Sequence, residues 1–234
     1  WDEILDFLAA ATKAKPQVLQ VDEIGRTPEG RPLLCARLTA PGRSPEGKPA
    51  YLVQANVHAG EVAGTTAALY LIKHLLDGWE TDDSIRDLLA EVVFYVIPRM
   101  NPDGAEFILQ TGGSIRSRNT PRYRKNGLYQ HDIDGDGKIL SMRVEDPCGN
   151  LKADPADARH LVPREAQDVE GPFYFVDDEG LIHDWDGGPI TRAERSADFN
   201  RNWGANWLPE YEQGGAGDFP FSQPEMRALA EFVY

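Results

Sequence analysis

Cysteine is scarce, cations are outnumbered, and long apolar runs are missing. Two cysteines in 234 residues are too few for a disulfide scaffold, and Cys35 lies in an apolar run where a buried free thiol is the ordinary reading. Cysteine usage therefore leaves the compartment open. No stretch approaches the roughly 18 uninterrupted apolar residues of a membrane-spanning helix, so no membrane span is expected. The opening Trp1-Asp-Glu-Ile also lacks the basic-then-apolar order of a leader. Lys and Arg total 24 against 38 Asp and Glu, a net charge of −14. That balance speaks against nucleic acid as a partner, because phosphate binding needs clustered cations. The acidity is local: Asp132 to Asp198 holds 17 Asp and Glu against 7 Lys and Arg, a balance of −10.

The hydrophobic share of 41% and aromatic share of 9% suit one globular domain with a sizeable core, taken as residues 1–234 with an acidic insertion over 132–197. Ile4, Leu5, Phe7, Leu8 and Ala11 fall on one helical face ahead of Pro16, predicting a first helix. Val18 to Ile24 and Leu33 to Thr39 are β-type runs around a Gly- and Pro-rich turn, predicting an antiparallel hairpin. Tyr51 to Val57 reads as a strand buried on both faces. Val62 to Leu76 reads as a buried helix ending near Gly78, Ile85 to Leu89 as a shorter helix, and Val92 to Ile97 as the next buried strand. Strand, helix, strand implies a right-handed crossover between parallel neighbours. The expected fold class is thus α/β, a mixed β-sheet flanked by helices, with His58 and Asn101 on the rim where such sheets place their sites.

From Thr111 to Trp207 periodicity is scarce and loops are expected to dominate. The exception is a predicted hairpin of Phe173 to Val176 and Leu181 to Trp185 around Asp177-Asp-Glu-Gly180. Ser222-Gln-Pro-Glu225 reads as a capping box opening a last helix. That helix reaches Tyr234 without a C-cap, which predicts that the sequence continues.

Candidate chemistry begins with His58 and Glu61, an imidazole and a carboxylate three residues apart at a strand end, suited as two zinc ligands beside the small Gly60. A catalytic zinc takes three protein ligands and keeps a fourth position open, so this pair is incomplete. Asn101-Pro-Asp-Gly104 reads as a sharp turn. The stretch Arg116 to Lys125 is the one basic segment, and a guanidinium near a zinc-polarised carbonyl suits an oxyanion. Asn200 and Arg201 place an amide beside a guanidinium, a pair able to grip a carboxylate. Asp132, Asp134 and Asp136 are spaced two apart before Gly137, with the Lys138 carbonyl placed as a further ligand, as in the first half of a calcium loop. The loop's twelfth position is Arg143, so Glu145, Asp146 or another insertion residue would have to complete that sphere. His74, His131, His160 and His183 are read as non-ligands.

Together these motifs resemble the zinc metallocarboxypeptidases, the funnelins, in order over most of the chain. Ile24 to Pro32, His58-x-x-Glu61, Asn101-Pro-Asp-Gly104, Tyr123-Arg124-Lys125 and Asn200-Arg201-Asn202 carry the likeness. The resemblance implies hydrolysis of C-terminal peptide bonds with Zn2+ at His58 and Glu61. Arg124 would stabilise the oxyanion, and Asn200 with Arg201 would hold the substrate carboxylate. It also implies that the third ligand and catalytic glutamate follow Tyr234, leaving this stretch alone without full activity. Gly60 stands where digestive members carry a substrate-binding arginine, so their substrate pattern is not implied. Peptide or protein C-termini are the expected partners, Ca2+ a second metal, and a secreted or periplasmic location fits the acidity and calcium-like loop. Two alternatives stay open: a cell-wall peptide endopeptidase or amidase of the same family, and a noncatalytic calcium-stabilised binding module.

Overall fold

A computed structural model describes residues 1–117, 125–188, 190–192 and 197–234. It contains helix α1 (Asp2–Ala14), strands β1 (Leu19–Arg26), β2 (Pro32–Leu38) and β3 (Ala50–Gln54), and helices α2 (Val62–Thr81) and α3 (Asp83–Glu91). Then come β4 (Val93–Ile97), α4 (Pro102–Thr111), β5 (Gly127–Gln130), β6 (Ser141–Glu145), β7 (Leu151–Asp154), β8 (Asp157–Pro163) and β9 (Phe173–Asp178). The series closes with β10 (Gly180–His183), β11 (Thr191–Arg192) and α5 (Pro224–Val233). Two compact units emerge: residues 1–109, 115–121 and 195–234, and residues 110–114 with 122–194.

The first unit carries a four-stranded sheet in the order β1-β2-β4-β3. β1 and β2 form the expected antiparallel hairpin, and β3 runs parallel to β4 across the crossover through α2 and α3. Strand alternation divides the core between two faces. Leu34, Ala36, Leu38, Phe94 and Val96 pack with Ile4 and Leu8 of α1, Ile72 and Leu75 of α2, and Leu89 of α3. Cys35, Tyr95 and Ile97 face the other way and pack with Met226 and Leu229 of α5. Each fully buried Leu, Ile or Met contributes about 1.5–3 kcal/mol. Gly25 lets α5 approach β1, since a Cβ there would lie 2.5 Å from the Ala228 Cβ. Burial pushes the Cys35 thiol up to about 12, with Asp22 adding to the rise, in keeping with an inert core thiol.

Several expectations are corrected. β3 is the outer strand of this sheet, so it is not buried on both faces: Tyr51 is 61% exposed. α2 runs through Gly78 to Thr81, because this glycine serves close packing against Ile85 of α3 and does not end the helix. α5 starts after Gln223, which makes no side-chain cap bond, and the Ser222 hydroxyl accepts from Asn202 instead of capping the helix.

The second unit is built from short strands where loops were expected to dominate. β10-β5-β11 form one sheet and β6-β9-β7-β8 another. β9 and β10 therefore belong to different sheets and are not a hairpin. Between them, Glu179 donates its N–H to the Leu140 carbonyl, and its carboxylate accepts from the N–H groups of Ile133, Asp134 and Leu140. These bonds take the chain out of one ladder before it enters the next. Among the described residues no helix is long and apolar enough to cross a membrane.

Candidate metal centre

The site begins where β3 ends. Ala55 donates its N–H to Ile97 O and accepts from Met100 N, and Asn101 N bonds Asn56 O, so the exits of β3 and β4 are laced together. Asn56 is buried with φ of 53°, a left-handed conformation that Asn tolerates better than most side chains. Its amide donates to the carbonyls of His58 at 2.7 Å and Ala59 at 3.3 Å, and accepts from Thr65 Oγ1. The Asn56 and Thr65 side chains and the backbone at the two strand exits thereby fix the His58 loop before any ligand is considered.

Asn101-Pro-Asp-Gly104 opens helix α4 and is not the sharp turn read from its residues. The Asn101 side chain accepts from Gly104 N at 3.0 Å as an N-cap, and Pro102 occupies the first helical position, where its missing N–H costs nothing. A Cβ on Gly104 would lie 2.6 Å from Asn101 Oδ1 and 2.8 Å from the Ala59 Cβ, so glycine lets α4 abut the His58 loop. The buried Asp103 accepts from Thr27 Oγ1, Glu29 N and Arg31 Nη1. The turn within Ile24 to Pro32 and the Asn-Pro-Asp-Gly segment are thus one hydrogen-bonded assembly behind the site.

His58 is buried and has polar groups at both ring nitrogens. Nδ1 lies 2.8 Å from Glu61 Oε1, and Nε2 lies 3.3 Å from Asp198 Oδ1 and 3.2 Å from the Asn200 amide nitrogen. Asp198 arrives because Ala197 bridges Ser117, while Asp198 N donates to Gly215 O. Its side chain accepts from Asn200 N at 2.9 Å, capping the short 3-10 turn Phe199–Arg201, and from Arg116 Nε at 2.7 Å. Burial works to raise the Asp198 carboxyl, but Arg116, the Asn200 N–H and His58 outweigh it and hold the group below the usual carboxylate range.

This donor set fits zinc. Were the ring proton at Nε2, toward the Asp198 carboxylate, Nδ1 would keep its lone pair on the side of Glu61, the carboxylate–histidine–metal arrangement seen at zinc centres. Tetrahedral bonds of about 2.0–2.2 Å place two ligand atoms roughly 3.3 Å apart. The 2.8 Å contact would therefore open slightly, and Glu61, whose side chain is 60% exposed, has room to do so.

Other predicted residues fall less uniformly. The Asn200 amide is turned to His58, whereas Arg201 is exposed and donates to the Asn200 carbonyl at 3.4 Å. Asn202 is a buried hub: its amide donates to Ala216 O, Phe219 O and Ser222 Oγ and accepts from Gln223 N, tying this motif to the start of α5. Arg124 lies outside the described residues. His74 stacks on Tyr70 and His183 meets the edge of Tyr129. Asp198 and Arg116 were missed as site residues. For Asp198 the signal was position alone, two residues before Asn200.

Among the described residues, the group of three side chains able to share a metal ion is Asp132, Asp134 and Asp136, with ligand atoms within 4.8 Å of one another. Their oxygens now accept backbone N–H groups from Gly135, Gly137, Asp136 and Lys138. The Gly137 N–H first, then those of Gly135 and Asp136 and the charge of His131, holds the Asp132 carboxyl below its ordinary range against slight burial. Arg143 bonds Ala158 O and lies over Tyr174, and Asp146 accepts from Cys148 N. Glu179 is the carboxylate that touches the loop, through its backbone.

The chain is similar in part to known carboxypeptidases. A curated zinc carboxypeptidase of Saccharothrix mutabilis subsp. capreolus is 32% identical over 111 residues, 47% of this chain and 24% of that protein. Carboxypeptidase E of Caenorhabditis elegans is 34% identical over 115 residues, 48% of this chain and 24% of that protein. The chain thus spans about a quarter of the length of each of these relatives. Among solved structures, carboxypeptidase A from Helicoverpa armigera aligns over 100% of this chain and 41% of its own, with a TM-score of 0.62 at 19% identity. Thrombin activatable fibrinolysis inhibitor aligns over 99% of this chain and 42% of its own, with a TM-score of 0.57 at 15% identity. These two likenesses speak for the fold. The zinc carboxypeptidase family profile matches residues 4–234, and the chain belongs to that family.

Proposed function

We propose that the full-length protein hydrolyses C-terminal peptide bonds as a zinc metallocarboxypeptidase, with His58 and Glu61 as two of its zinc ligands. The observation carrying this reading is the His58 ring, whose Nδ1 faces Glu61 while Nε2 faces Asp198. Asp198 holds the proton at Nε2 and so leaves Nδ1 available for metal. Zinc, when bound, supplies Lewis acidity for attack of water on the scissile carbonyl. Arg201, exposed beside Asn200, receives the substrate carboxylate, and Arg124 stabilises the developing oxyanion, both by resemblance to the family. By resemblance to the family, a third ligand and a glutamate base complete the site. An acidic loop at Asp132, Asp134 and Asp136, with the Lys138 carbonyl, takes Ca2+ and orders the second unit. A secreted or periplasmic location accompanies that reading.

The test compares matched peptides bearing free or amidated C-termini, incubated with the full-length zinc-loaded protein. Release of the last residue from the free peptide alone supports the proposal. Equal cleavage of both removes the carboxylate-docking role and favours the endopeptidase alternative.

A further inference from the structure

Arg116 belongs to the basic stretch but to none of the motifs that carry the family likeness, and it is bolted to the metal site on three sides. Its carbonyl accepts from Ala59 N at 2.7 Å, one residue after His58. The next residue, Ser117, donates its hydroxyl to Val57 O, one residue before His58, and its backbone bridges Ala197, one residue before Asp198. This frame aims the side chain so that Nε donates to Asp198 Oδ2 at 2.7 Å. Asp198 has its other oxygen on His58 Nε2 and on Asn200 N.

A carboxylate held at one oxygen only can rotate about its Cβ–Cγ bond; held at both, it cannot. The Arg116 bond occupies Oδ2 and leaves Oδ1 to the imidazole. Nε is the guanidinium donor closest to the backbone, so its direction follows from the fixed chain at residues 116–117. A lysine ammonium on a flexible stem supplies the charge without that direction. The Arg116 side chain is 52% exposed, so its substitution leaves no buried void.

We infer that Arg116 is a positioning residue of the metal centre: it locks Asp198, which in turn holds the His58 ring with Nδ1 toward Glu61. The inference rests on the zinc reading above. Outer partners of metal-bound histidines typically contribute about 10–100-fold to metal affinity, and Arg116 acts through such a partner.

The experiment measures zinc dissociation constants of the full-length protein by chelator competition, for wild type, Arg116→Ala, Arg116→Lys, Asp198→Asn and the Arg116→Ala, Asp198→Asn double variant. The expected result is a loss of about tenfold or more for Arg116→Ala, with the metal-free variant still fully folded at the assay temperature by its melting curve. Arg116→Lys recovers part of the loss, and Arg116→Ala adds nothing on the Asp198→Asn background. Zinc affinity within twofold of wild type for Arg116→Ala, or an undiminished loss in the double variant, overturns the inference while leaving the zinc reading intact. A wild-type protein that binds no zinc overturns both.

Discussion

Glu225 occupies the second position of α5, fully buried, and neither carboxyl oxygen has a hydrogen-bond partner among the described residues. Burial pushes its carboxyl up to about 8; its own N–H pulls back slightly and the Asp103 charge adds to the rise. A carboxyl whose folded pKa is raised binds its proton more tightly in the native state, so stability falls as pH rises from the unfolded value near 4.5 through about 8. The penalty is absent below that window and complete above it. Glu225→Gln keeps the shape and removes the charge. It is expected to flatten the pH dependence between about pH 5 and 8 and to raise the melting temperature at pH 8 by several degrees. Urea unfolding at pH 5 and pH 8 reads this directly. Asp103, also buried, has its oxygens occupied by Thr27 Oγ1, Glu29 N and Arg31 Nη1, whereas those of Glu225 are not.

At the scale of elements, the contact between α4 and the His58 loop decides how firmly the site is held. Gly104→Ala gains about 1 kcal/mol of helix propensity but drives a Cβ into the Asn101 cap and Ala59. Overpacking of this kind costs about 1–3 kcal/mol. A net loss in urea unfolding, with weaker zinc binding, is the expected outcome. The residues of this contact also show what the sequence made legible. The β-type runs of β1 and β2, the apolar runs of β3 and β4 and the Ala-, Leu- and Ile-rich α2 between them announced the mixed sheet, because strand–helix–strand order beside a hairpin implies a parallel crossover. Asn101-Pro-Asp-Gly104 was located but misread, since residues that favour a turn also start a helix. β9 and β10 suggested a hairpin by proximity, and only the bonds Glu179 makes to Ile133, Asp134 and Leu140 reveal the change of sheet. The His58–Glu61 contact was legible because the two stand three positions apart in the chain. The Asp198–His58 and Arg116–Asp198 pairs were not, because the partners stand 140 and 82 positions apart and no local period records a long-range contact.

At the scale of the molecule, the two units carry different sets of polar side chains. Sheet, crossover and α5 frame His58, Glu61 and Asp198, while the second unit holds Asp132, Asp134 and Asp136. If the acidic loop takes calcium, the ion stabilises the state that binds it by mass action. Millimolar calcium is then expected to slow limited proteolysis within residues 110–194, and the double variant Asp132→Asn, Asp136→Asn to abolish that protection. Cleavage rates identical with calcium and with chelator would remove the calcium role and leave the zinc proposal untouched. That site is the centre of the account, and elemental analysis of the full-length protein tests it most directly. About one zinc per chain in the wild type, falling close to zero in His58→Ala, is the predicted result. Zinc absent from the wild type, or retained in full by His58→Ala, would contradict it.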